Sequence, residues 1–204
     1  MTASDEQSLY AARLILEGEL IVFPTDTVYG VGSDAFSSVA VSRLLATKGR
    51  GETMPPPVLA ADIDDALALG DFGERKDREA DVRRIAKRFW PGALTLVIPT
   101  TRQFGWGTEA VGNTVAVRVP DDPVARTILS ATGPIAVTSA NRTGELPATT
   151  VTQARGYFGS EVALYVDGGP HNGGQPSTIL NCAGEDFEIM RPGPIGWEQI
   201  SSAL

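Results

Sequence analysis

The chain has 204 residues, 42% of them hydrophobic and 21% charged, which suits one buried core and a single domain spanning 1–204. Its formal net charge of -8 excludes broad, sequence-independent attraction to nucleic acid, because that binding rests on lysine and arginine neutralising phosphates. One cysteine, Cys182, and one histidine, His171, exclude an internal disulfide and a structural zinc site of those ligand types, and no apolar run is long enough to cross a bilayer, so a cytoplasmic protein with no membrane partner is expected.

In chain order, residues 5–17 carry Leu9, Ala12 and Leu16 at helical spacing and stop at Gly18, which predicts a leading helix. Residues 20–23 (LIVF) read as a buried strand closed by Pro24. Ser37 then caps a predicted second helix bearing Val41, Leu44 and Leu45. After Pro55, Pro56 and Pro57 come a short strand at 58–60 and helical stretches in which Val82, Ile85, Ala86 and Phe89 share one face, ended by Trp90, Pro91 and Gly92. Strands are predicted at 94–98, 114–119, 135–138, 164–166, 177–180 and 187–190, with helices at 123–131 and 150–158. Residues 70–80 read as a solvated surface excursion and 168–176 as a glycine-rich loop. The expected class is α/β: an open, twisted mixed sheet with flanking helices.

Two strands run directly into polar clusters. Residues 20–23 lead to Pro24, Thr25, Asp26 and Thr27, and residues 135–137 lead to Thr138, Ser139, Ala140 and Asn141. Ligands of open α/β sheets settle beyond the carboxyl ends of strands, so both clusters are candidates for one pocket, although such residues also cap helices and shape turns. In the run Thr114, Val115, Ala116, Val117, Arg118, Val119, alternation places Thr114, Ala116 and Arg118 on one face and the valines on the other. A covered guanidinium needs an anionic partner, which a substrate carboxylate or an internal Asp or Glu would supply equally well. Lys48 and Arg50, separated by Gly49, are expected immediately past the second helix, and Arg191 precedes Pro192 and Gly193; each is placed either to complement local structure or to meet a phosphate.

The chain has no P-loop. Gly30, Gly32 and Ala35 match a loose dinucleotide-binding pattern, but residues 24–29 separate them from the preceding strand, so that match is a decoy. His171 lacks a cysteine partner nearby, and no nucleophile, base and orienting acid can be assembled, which argues against covalent catalysis.

In order, the chain carries Pro24-Thr25-Asp26-Thr27-Val28-Tyr29-Gly30, Lys48-Gly49-Arg50, Trp90-Pro91-Gly92-Ala93-Leu94-Thr95, TVAVRVP at 114–120, Thr138-Ser139-Ala140-Asn141, Pro176-Ser177-Thr178-Ile179 and Met190-Arg191-Pro192-Gly193. Together these resemble the YrdC family of threonylcarbamoyl-AMP synthases, in its short form with one YrdC-like domain. The resemblance implies a concave active-site face and a nucleotidyltransferase that makes threonylcarbamoyl-AMP and pyrophosphate from L-threonine, bicarbonate or CO2, and ATP. That product serves tRNA threonylcarbamoyladenosine modification. It implies that Thr27, Arg118, Ser139 and Ser177 hold threonine, that Arg50, Met54, Thr114, Asn141, Thr149 and Arg191 hold ATP, and that Lys48 and Arg50 act catalytically near the phosphates. Mg2+ on the phosphates, hand-off to a tRNA threonylcarbamoyl-transferase complex and weak tRNA or dsRNA binding are further implications, and an RNA-binding ribosome or tRNA maturation factor of the same fold is the alternative. Met54 and Leu59 depart from the family pattern: short relatives often have a polar residue at the first position, and longer ones can have a histidine at the second.

Overall fold

A computed structural model describes residues 3–49, 51, 54–170 and 174–204. Helix α1 (Ala3–Leu16) leads into β1 (Ile21–Phe23) and β2 (Gly30–Asp34), then α2 (Ser38–Lys48), β3 (Val58–Leu59), α3 (Ile63–Leu67) and α4 (Lys76–Phe89). The second half alternates β4 (Leu94–Pro99), β5 (Thr114–Arg118), α5 (Pro123–Thr132), β6 (Ile135–Ser139), α6 (Val151–Phe158), β7 (Leu164–Tyr165), β8 (Thr178–Asn181), β9 (Glu188–Arg191) and α7 (Trp197–Ser201). The strands form one open sheet in the order β7-β1-β2-β6-β3-β5-β4-β8-β9, with both parallel and antiparallel neighbours. The expected mixed α/β class is what the structure has.

Local chemistry explains most element ends. Ser37 accepts from the Ala40 amide to start α2, and Gly49, in the left-handed region at φ 65°, ends it. Asp122 and Thr150 cap α5 and α6 in the same way, and Pro123 opens α5 where its missing amide has no cost.

Strand alternation divides the apolar side chains between two faces. Leu94, Leu96 and Ile98 of β4 and Val115 and Val117 of β5 join Val41, Leu44, Val82 and Ile85 in the larger core, beneath α2 and α4. Ile21 and Phe23 of β1 and Ile135 and Val137 of β6 pack on the opposite side with Ala12 and Ile15 of α1 and Ile128 and Leu129 of α5. Helices α1 and α5 cover only part of that second face. Leu59 and Val137 sit at the edge of this smaller core and also line an uncovered cavity, so the open remainder of the face is where the site lies.

Two predicted features are corrected. Residues 70–80 are not wholly a solvated excursion: Phe72 is buried in the larger core, and α4 begins at Lys76, because one aromatic anchor and a helical first turn outweigh the polar composition. Residues 30–34, left without an element by the sequence pattern, form β2, whose backbone is paired with β1 on one side and β6 on the other. The dinucleotide-like glycines therefore serve cross-strand packing. A Cβ on Gly30 would lie 2.7 Å from Val137 Cγ1, and one on Gly32 would lie 2.9 Å from Ile135 Cγ2.

Gly30→Ala should lower unfolding stability by roughly 1–3 kcal/mol through overpacking, read as a fall in the urea midpoint. The double variant Gly30→Ala/Val137→Ala should be less destabilised than the sum of its singles by at least about 0.5 kcal/mol. Strict additivity would show that Val137 is not what excludes a side chain there.

Candidate active site

Strands β1 and β6 are both antiparallel to β2 between them, so their carboxyl ends emerge at the same edge of the sheet. The two polar clusters therefore meet. Thr25 and Thr27, beyond β1, and Thr138 and Ser139, at the end of β6, all line a cavity of about 510 Å3. Its floor is completed by Thr95 and Val97 of β4, Thr114, Ala116 and Arg118 of β5, and Ser177 and Ile179 at β8, the side of each strand turned away from the larger core. The rim carries the largely exposed Met54 and Met190, and Pro55 and the buried Trp106 add to the apolar lining.

Arg118 is 5% exposed. Its Nε donates to the Gly92 carbonyl at 2.9 Å, its Nη1 to Thr27 Oγ1 at 2.9 Å, and its Nη2 forms an ion pair with Asp26 Oδ1. Burial pulls the guanidinium below its usual value, the Asp26 charge pulls it back up, and the positive charge of Arg191 lowers it again. Between the two partners that the alternation left open for Arg118, the internal acid is the one present. Asp26 belongs to the polar cluster after residues 20–23, but its role as the partner of Arg118 was not assigned from the sequence.

Arg191 reaches the same cavity from β9, donating through Nε (3.1 Å) and Nη2 (2.8 Å) to the Ser177 carbonyl. Ser177 is buried, and its Oγ lies 2.8 Å from Thr95 Oγ1, a second buried hydroxyl that the sequence reading did not single out. Both charged residues among the described lining are arginines. A chain of net charge -8 thus holds a locally positive hollow that draws small anions.

The remaining candidates divide. Thr114 lines the cavity, with its hydroxyl donated to the Val111 carbonyl at 2.9 Å, and Leu59 forms part of the apolar wall. Lys48 is not beyond α2 but is its last residue, 3% exposed, and its Nζ donates to the Ser139 carbonyl (2.6 Å), the Asn141 carbonyl and Asn141 Oδ1 (3.2 Å). Asn141 in turn donates through Nδ2 to the carbonyls of Arg142 and Glu145, both at 2.8 Å. These two side chains brace the turn after β6 and do not line the cavity. Thr149 also lies outside the lining, bonded through its amide and hydroxyl to Gln153 Oε1. Arg50 and His171 lie outside the described residues. Cys182 is buried, and burial pushes its thiol up to about 12, which disfavours a thiolate nucleophile.

A cavity with a fixed arginine and small hydroxyls at its floor, set on the open face of a mixed sheet, defines an α/β protein with its candidate ligand site on one face of the sheet. The sequence profile described as Telomere recombination (Sua5_yciO_yrdC) matches residues 13–193. A Mycobacterium tuberculosis relative is 40% identical over 194 residues, covering 95% of this chain and 87% of its own length. The Threonylcarbamoyl-AMP synthase of Bacillus subtilis is 37% identical across all of this chain, which spans 58% of that relative. The crystal structure of P. abyssi Sua5 complexed with L-threonine superposes with a TM-score of 0.88 at 31% identity, covering 98% of this chain and 58% of that one. The chain belongs to the Sua5/YciO/YrdC family.

Lys48→Met should cost roughly 2–4 kcal/mol of stability, since it leaves several buried oxygens without a donor. Thermal unfolding checks this. A variant as stable as the parent would show that Lys48 does not brace the turn.

Proposed function

We propose that the protein is an L-threonylcarbamoyladenylate synthase of the cytoplasm, a nucleotidyltransferase joining L-threonine, CO2 from bicarbonate and ATP into threonylcarbamoyl-AMP with release of pyrophosphate. The observation that carries this reading is the pairing, in one cavity, of a buried arginine with small hydroxyls on the floor and an exposed arginine beside the rim methionines. The first combination suits an α-amino acid, and the second suits a nucleotide and its phosphates. The names of the B. subtilis and P. abyssi relatives support the same conclusion.

In this reading Arg118 grips the threonine carboxylate by two parallel N–H donors, and Thr27, Ser139 and Ser177 enclose the rest of the amino acid. The threonine ammonium first gives one proton to the hydroxide released as bicarbonate becomes CO2; the free amine then adds to the carbon of CO2, the N–C bond forming as a C=O π bond becomes the carbamate oxyanion, and the nitrogen gives its second proton to water. A carbamate oxygen then attacks the α-phosphorus; the new O–P bond forms as the bond to the β-phosphate breaks and pyrophosphate leaves. Arg191, and Arg50 by family resemblance, offset charge gathering on the phosphates, while Met54 and Thr114 border the nucleotide. Lys48 and Asn141 act by holding the backbone around Ser139 in place, and Thr149 borders the same nucleotide-binding side by resemblance alone. Holding the two reactants in line supplies on the order of 7 kcal/mol of barrier reduction.

Among the described residues no group of three or more His, Cys, Asp or Glu side chains is placed to hold a metal ion. Magnesium enters with ATP as part of the substrate. Among them too, no helix is long and apolar enough to cross a membrane. The product is passed to a tRNA threonylcarbamoyl-transferase complex, with weak contact to tRNA or dsRNA during hand-off.

Pyrophosphate release should require ATP, threonine and bicarbonate together, and omission of any one should reduce it to background. Arg118→Ala should lower kcat/KM for threonine by about 100-fold or more, while ATP binding stays within about threefold, because truncating a buried charge contact costs 2–5 kcal/mol. Salt-sensitive RNA binding without ATP consumption, or normal threonine use by the Arg118 variant, would overturn the assignment.

A further inference from the structure

We propose that Thr95 is a ligand-binding residue of this site: its hydroxyl, held by Ser177, donates a hydrogen bond to the carbamate that forms on the amino acid. The inference rests on the reading of the reaction above and adds to it the group that receives the carbamate.

Counting hydroxyl protons leaves one donor over. Ser177 Oγ accepts from Arg191 Nη2 at 3.2 Å, a direction fixed because a guanidinium has no acceptor, and lies 2.8 Å from Thr95 Oγ1. The two hydroxyls bring two protons, and the bond between them uses one. Among the described residues neither hydroxyl has a further acceptor, yet both are buried and line the cavity. A buried donor left unmatched is costly, which marks this spot for an oxygen of the ligand. The charge on Arg191 decides which hydroxyl supplies the proton. Accepting from a cation makes Ser177 the stronger donor, so Ser177 donates to Thr95 and Thr95 donates into the cavity.

Strand order tells which oxygen stands there. β5, β4, β8 and β9 are successive neighbours, and across them the cavity floor carries Arg118, Thr95, Ser177 just before β8, and Arg191. Arg118 spends three of its five N–H donors on Gly92, Thr27 and Asp26 and keeps two, the number that a carboxylate takes in a two-pronged contact. With the carboxylate on Arg118 and the phosphates at Arg191, the group between them is the one that joins the two substrates, the carbamate. One of its oxygens attacks phosphorus. The other makes no new bond and takes the hydrogen bond from Thr95, whose hydroxyl keeps its proton throughout. A donor at that oxygen favours the carbamate over its return to amine and CO2 until the phosphorus is attacked.

The test is calorimetric binding at neutral pH, without ATP, of L-threonine and of N-carbamoyl-L-threonine, which carries a carbonyl in the place of the carbamate. Thr95→Val keeps the side-chain shape and removes the hydroxyl. It should weaken N-carbamoyl-L-threonine by about tenfold, the size of effect expected for one buried hydrogen bond, and threonine by no more than about twofold. Thr95→Ala, which adds no bulk, should show the same selective loss, and Thr95→Ser, which keeps the hydroxyl, should bind both ligands as the parent does. Equal weakening of both ligands in the valine and alanine variants would overturn the inference by placing the hydroxyl on the amino acid itself. Unchanged binding of N-carbamoyl-L-threonine by those variants would overturn it too, as would a parent protein that binds threonine and not the carbamoyl ligand. Failure of the parent to bind threonine at all would instead sink the amino-acid reading.

Discussion

A guanidinium buried on the floor of an open sheet must be matched by acceptors, and that requirement organises the site. The acceptors of Arg118 come from separate parts of the chain: Asp26 and Thr27 from the segment after β1, and Gly92 from the turn between α4 and β4. Leaving such a charge unmatched would cost several kcal/mol, a large share of the 5–15 kcal/mol that holds a typical domain folded. The loops around the cavity are therefore tied to the same event that fixes the arginine. A preorganised cation is the result, aimed before any ligand arrives.

Lys48 applies the same physics one step away from the cavity. Its ammonium gathers oxygens from Ser139 and Asn141, so the end of β6 is held by a charge from the end of α2. The hydroxyl of Ser139 is thus placed by a residue that does not touch the cavity. Precise placement of small polar groups by a fixed surrounding frame is what in-line transfer between two bound substrates demands.

Much of this was legible in the residues. The alternation in residues 114–119 placed Thr114, Ala116 and Arg118 on one face, and that face does line the cavity. The two polar clusters after apolar strands were candidates for one pocket beside the plainer reading as caps and turns, and residues of both line one cavity. What escaped was information that local pattern does not hold. β2 was missed because GVGSD has little strand propensity, and its conformation is imposed by pairing with β1 and β6 on both sides. The partner of Arg118 lies 92 positions away, and periodicity carries no signal over that distance. The residues left Lys48 open between complementing its helix end and meeting a phosphate, because the acceptors it has are mostly backbone carbonyls, which every residue possesses and no motif marks.

The central claim is that one cavity seats an amino acid and a nucleotide side by side, with Arg118 at the amino-acid end. A crystal structure of the protein with L-threonine and a non-hydrolysable ATP analogue tests it most directly. The expected density has the threonine carboxylate on the two remaining Arg118 donors and the analogue's phosphates on the Arg191 side of the same hollow. Threonine bound away from Arg118, or nucleotide bound on another face of the sheet, would contradict it.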